Sequence, residues 1–103
     1  MEIISLKLEH IDKKSVQKIS TMLSNSEIQS LITIDLGNVK SCVVEFFEML
    51  SKIKPKISLI NVDSHILAGL YMTGYDKFVR VFEDEFSLYS DKHEIINRRF
   101  SLI

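Results

Sequence analysis

Two carboxylates stand where an α/β fold could use them. Asp35 follows the apolar run Leu31-Ile32-Thr33-Ile34, and Asp63 follows Val62 at the end of a second run, Ile57-Ser58-Leu59-Ile60-Asn61-Val62. Open α/β sheets keep their ligand crevices at the carboxyl ends of strands, and two acids on one rim can hold a divalent ion or share acid–base work. The same acids also serve as caps for the turns and helices that follow, which needs no ligand. The three histidines, His10, His65 and His93, fall in separate segments without His-x-x-x-His or Cys-x-x-Cys spacing, so surface or half-buried histidines are expected in place of a metal site. Cys42 is the only cysteine, which excludes an internal disulfide and points to a core thiol. Gly37, Gly69 and Gly74 are isolated from one another, and no Gly-x-Ser-x-Gly elbow occurs. Phosphate-loop and dinucleotide fingerprints are therefore absent, and no cofactor or metal is expected.

The elements that would position these residues alternate. Ile3, Ile4, Leu6 and Leu8 give a first strand, and Asp12 is placed to cap a helix from Lys13 to about Ser24 with Val16, Ile19, Met22 and Leu23 on one face. The run from Leu31 to Leu36 is apolar on both sides, as expected of a central strand covered twice. A second helix is expected from near Ser41, with Val43, Phe46, Phe47, Leu50 and Ile53 at i, i+3, i+4, i+7 and i+10 and with Pro55 beyond its end. Lys52, Lys54 and Lys56 there suit the negative end of a helix dipole and read as solvated lysines. After the strand of 57–62, Asp63 or Ser64 should cap a third helix with Ile66, Leu67, Leu70 and Tyr71 inward and Gly74 at its left-handed end, before a strand from Val79 to Phe82. Glu83-Asp84-Glu85 can start a last helix with Phe86, Tyr89, His93, Ile96 and Phe100 on one face, while 99–103 equally suits a short final strand.

Strand and helix in alternation at this spacing predict parallel βαβ units, because a parallel neighbour is reached only through a crossover of a dozen or so residues. The expected fold is a small open, mostly parallel α/β sheet of four to five strands in β-α-β-α-β-α-β order. The 103 residues are 46% hydrophobic and 26% charged, which suits one soluble domain with one core, residues 86–103 forming a C-terminal extension for which helix and strand both stay open. A formal charge of −1 recommends neither a nucleic acid nor an anionic membrane as partner. No apolar run approaches the roughly 18 residues of a membrane span, and Met1-Glu2 leads straight into a strand, so direct membrane insertion is not expected and the expected location is cytoplasmic. The first strand and a terminal strand ending Phe100-Ser101-Leu102-Ile103 are candidate edges for a homodimer.

The run Ile32-Thr33-Ile34-Asp35-Leu36-Gly37-Asn38-Val39, followed by Ile57 to Val62 and by Met72-Thr73-Gly74-Tyr75-Asp76-Lys77-Phe78, resembles the STAS family over roughly residues 3 to 85. STAS domains are anti-sigma factor antagonists, stressosome proteins, cytoplasmic tails of sulfate transporters and small subunits of lipid-transport complexes. The resemblance implies a non-enzymatic protein-interaction module, an anti-sigma factor antagonist-like regulator whose partner is a serine kinase-like anti-sigma factor or related regulator. It places the partner-binding surface at Asn38, Val39, Lys40, Ser41, Val44 and Glu45. An accessory STAS subunit of a membrane transporter complex is the alternative, with 86–103 as its docking element. The chain departs from the family at the phosphorylation signature, an Asp-Ser-Ser-Gly or Asp-Thr-Ala-Gly at the start of the helix after the central strand. Counting without a gap from Asp35 puts Val43 and Val44 at the Asp and Ser, and a valine accepts no phosphate. The segment up to Ile57 is also shorter than in the family, which would let Ser41 take the switch position. Ser41 thus has two roles open to it, N-cap of the second helix or phosphorylation site.

Overall fold

The computed structural model describes residues 2–25, 32–53, 56–92 and 98–102. In chain order the elements are β1 (Glu2–Leu6), β2 (His10–Ile11), α1 (Lys13–Asn25), β3 (Ile32–Asp35), β4 (Ser41–Cys42), α2 (Val44–Ser51), β5 (Ser58–Ile60), α3 (Ser64–Met72), a 3-10 turn (Tyr75–Phe78), β6 (Arg80–Phe82), α4 (Glu85–Lys92) and β7 (Arg98–Leu102). Five strands form one sheet in the order β6-β5-β3-β1-β7, and every neighbouring pair is parallel. The α/β fold expected from the alternation is therefore present, with β3 at its centre. A separate parallel bridge joins β2 to β4.

The order explains where the helices go. The chain steps outward from β1 through β3 and β5 to β6, then α4 carries it back to the other side of β1. Right-handed crossovers that run in opposite directions along a sheet must lie on opposite faces. Burial follows that rule. Val16, Ile19 and Leu23 of α1, Phe46, Phe47 and Leu50 of α2, and Ile66 and Leu70 of α3 pack with Ile4, Leu6, Ile34 and Leu59 in the larger core. On the opposite face Leu88 of α4 packs with Ile3 and Ile60, and Phe82 joins them. That second layer also holds Thr33 and Ser58, which are register partners across β3 and β5 and are both fully buried. Neither hydroxyl finds a hydrogen-bond partner among the described residues.

Local chemistry sets most boundaries. Asp12 Oδ1 accepts the Ser15 N–H at 2.8 Å and starts α1. Asp63 is the N-cap of α3, its Oδ1 accepting the His65 N–H at 2.9 Å. Asp84 does the same for α4 through the Ser87 N–H at 2.8 Å. Gly74 follows the C-cap Thr73 with φ of 80°, a left-handed conformation that a side chain would resist.

Several expectations are corrected. The second helix does not start near Ser41: Ser41 and Cys42 lie in β4, Val43 is the N-cap and offers no side-chain bond, and α2 begins at Val44. The cause is backbone pairing, since the N–H groups of Lys40 and Ser41 donate to Glu9 C=O and that of Val43 to Ile11 C=O, which holds this stretch extended. Tyr71 does not face inward; it is 56% exposed, and Met72 beside it is 86% exposed. Among the described side chains of α4 the buried one is Leu88, while Phe86 is 77% exposed, so the face through Phe86 and Tyr89 is not the packed one. His93 and Ile96 lie outside the described residues, as do Lys54 and Pro55. Phe100 falls in β7, so the final segment contains a strand. β1 is not an edge, because it is paired to β3 on one side and β7 on the other; the outer strands are β6 and β7.

Candidate functional site

The carboxyl ends of the strands carry two neighbouring features. The first is a crevice between divergent loops: β5 leads into α3 on one face and β6 into α4 on the other, which is the switch-point geometry where open sheets place ligands. It has a volume of about 510 Å³ and is lined by Asp35, Asn61, Asp84, Glu85, Phe86 and Tyr89. Asn61 adopts φ of 57°, in the left-handed region that asparagine tolerates better than most residues. Its Nδ2 donates to Asp35 Oδ1 at 3.1 Å, and the Gly37 N–H donates to the same oxygen at 2.9 Å. A Cβ at position 37 would stand 3.1 Å from that oxygen, so glycine suits the close approach of backbone to carboxylate.

Asp35 and Asp63 thus have different tasks. Asp35 ties the turn after β3 to the end of β5, and Asp63 caps α3. Asp63 is not among the residues lining the crevice that contains Asp35. Among the described residues no group of three or more His, Cys, Asp or Glu side chains is arranged to hold a metal ion. His10 and His65 are exposed. Cys42 is half-buried against the larger core, and burial pushes its thiol up to about 11.

The second feature is a ledge formed by 38–45 after β3. A turn returns the chain, with the Val39 N–H donating to Leu36 C=O at 3.0 Å. Asn38, Lys40, Ser41 and Val44 are exposed, Val44 at 46%. Val39 is not on the surface; at 1% exposure it anchors the ledge from beneath. Glu45 is half-buried and reaches Lys13 of α1, with Lys13 Nζ 3.4 Å from Glu45 Oε2. Ser41 Oγ lies 2.6 Å from Nδ1 of His10, its register partner across the β2–β4 bridge.

Sequence reasoning named Ser41 and His10 separately and did not join them. They are 31 positions apart, and a two-residue bridge leaves no periodicity to read. Asn61 was likewise missed as the partner of Asp35, because its role depends on a left-handed turn at the end of β5. No protein-family model matches the chain, and no curated protein is significantly similar to it.

Proposed function

We propose that this chain is a STAS-like interaction module, non-enzymatic, that docks onto a regulatory protein through the ledge from Asn38 to Glu45. The observation that carries the proposal is the ledge itself: four exposed side chains, Asn38, Lys40, Ser41 and Val44, stand on a backbone held by bonds to Glu9 and Ile11 and anchored by buried Val39. A surface fixed in advance loses little conformational entropy on binding, and an exposed valine among polar residues suits a protein contact. The partner class is a serine kinase-like anti-sigma factor or related regulator, met in the cytoplasm. Ser41 is the hydroxyl available for phosphate control, since Val44 stands where the family pattern has its serine.

Ser41→Asp and Lys40→Glu should each weaken complex formation while leaving circular dichroism and melting temperature unchanged. A pull-down with the tagged wild-type protein, followed by mass spectrometry, supplies the complex to be measured. Recovery of a kinase-like ATPase or sigma regulator whose binding both variants weaken supports this reading, and undiminished binding by both moves the interface elsewhere.

A second reading, an accessory subunit of a membrane transporter, is favoured by the exposed Tyr71, Met72 and Phe78 at the end of α3 and in the 3-10 turn. Among the described residues no helix is long and apolar enough to cross a membrane, so such a subunit would be held by its partner. Recovery of transporter subunits, lost on Met72→Lys, would favour it. The outer edge of β7 remains the candidate for pairing with a second copy.

A further inference from the structure

His10 and Ser41 sit side by side on the outer face of the β2–β4 bridge, while Ile11 is buried and Cys42 packs against the core. The backbone fixes the pair on both sides: the Ser41 N–H donates to Glu9 C=O at 3.2 Å, and the Val43 N–H donates to Ile11 C=O at 3.0 Å. The separation of 2.6 Å between Nδ1 and Oγ is within the range for a hydroxyl and a base in direct contact. With the imidazole neutral and its proton on Nε2, Nδ1 accepts the serine O–H. A hydroxyl held against such a base is the arrangement that makes serine nucleophilic. Three residues on, α2 starts at Val44 with no side-chain cap, its Phe46 N–H donating to Val43 C=O at 3.0 Å.

We propose that Ser41 is an acyl-acceptor site activated by His10, and that its co-substrate is an activated acyl donor, a thioester or reactive ester. In the step, Ser41 Oγ bonds to the acyl carbon and the hydroxyl proton passes to His10 Nδ1. The bond from the acyl carbon to the leaving thiolate or alkoxide then breaks, and the leaving group takes the proton from His10. No electrons are gained or lost, and the product is a serine ester on the ledge. The assignment does not depend on which protein docks there.

The test is acetylation of the folded chain by p-nitrophenyl acetate at neutral pH, with acetylserine located by peptide mass mapping. Exposed Ser24 of α1 serves as the reference within the same molecule. Ser41 is expected to be acetylated roughly tenfold or more faster than Ser24, and His10→Gln should bring it to the reference rate with unchanged circular dichroism. Ser41→Ala should remove that label alone. Acetylation of Ser41 no faster than Ser24, or equally fast in His10→Gln, would overturn the assignment, whereas the docking proposal is judged separately by partner binding.

Discussion

Asp12 shows how much one carboxylate decides locally. The backbone N–H of Ser15 is the main cause, with the Ser15 hydroxyl and Lys14 adding to it, that holds its acid below the ordinary value of 3.8. A carboxyl whose folded-state pKa is depressed adds stability that is fully present above its unfolded value and is lost as the pH falls through the folded one. Asp12→Ala should therefore lower the melting temperature at neutral pH, and the difference from wild type should close as the pH falls below the ordinary carboxylate value and through the depressed folded one; thermal melts of both proteins across the acid range check it. Asp12, Asp63 and Gly74 were legible in the sequence because caps and left-handed turns act over a few residues. The pairs His10–Ser41 and Asp35–Asn61 were not, since each joins residues 26 or more positions apart. Ser41 also shows why a good capping residue need not cap. Its backbone was claimed by the bridge to β2, and the cap passed to Val43, which has nothing to donate or accept with its side chain.

At the scale of elements, the apolar stripe read from the sequence of α2 proved to be the packed one, with Phe46, Phe47 and Leu50 buried and Val43 and Ile53 half-buried beyond its ends. A helix lying on a sheet with other helices beside it has one obvious inner face, and spacing finds it. α4 lies alone on the other face, and Leu88 is its one fully buried side chain among those described. Spacing misled there because aromatic residues at 86 and 89 outweigh a single leucine in any pattern, yet Phe86 lines the open crevice. Leu88→Ala should destabilise the protein by about 2–5 kcal/mol, read from the urea midpoint, because little else on α4 can close the gap. A loss well under that range would mean that α4 is held by other contacts. The elements of two residues, β2 and β4, fell below what periodicity can resolve, although they set the geometry of the ledge.

For the whole molecule, alternation of strand and helix was enough to give a parallel α/β sheet, but not the order of its strands. Which edge a crossover reaches depends on the face its helix covers, and the last helix takes the face the others leave free. The final strand therefore lies beside the first, and residues 98–102 complete the sheet. A chain ending at residue 97 should leave one side of β1 unpaired, with its backbone groups open to a second molecule. Its sedimentation should show association rising with concentration above that of the full chain, and matching behaviour would show that β7 protects nothing. The same placement has a consequence for synthesis, in which β1 is made before both of the strands that flank it. β3, one neighbour of β1, is the next strand of the sheet to be made, whereas β7, the other, follows only after β5, β6 and the helices between them. Closing so long a loop is entropically slow, so the nascent chain carries a bare edge on β1 until β7 has been made. The edge open to other molecules in that interval is residues 2–6, and it is covered once residues 98–102 pair with it.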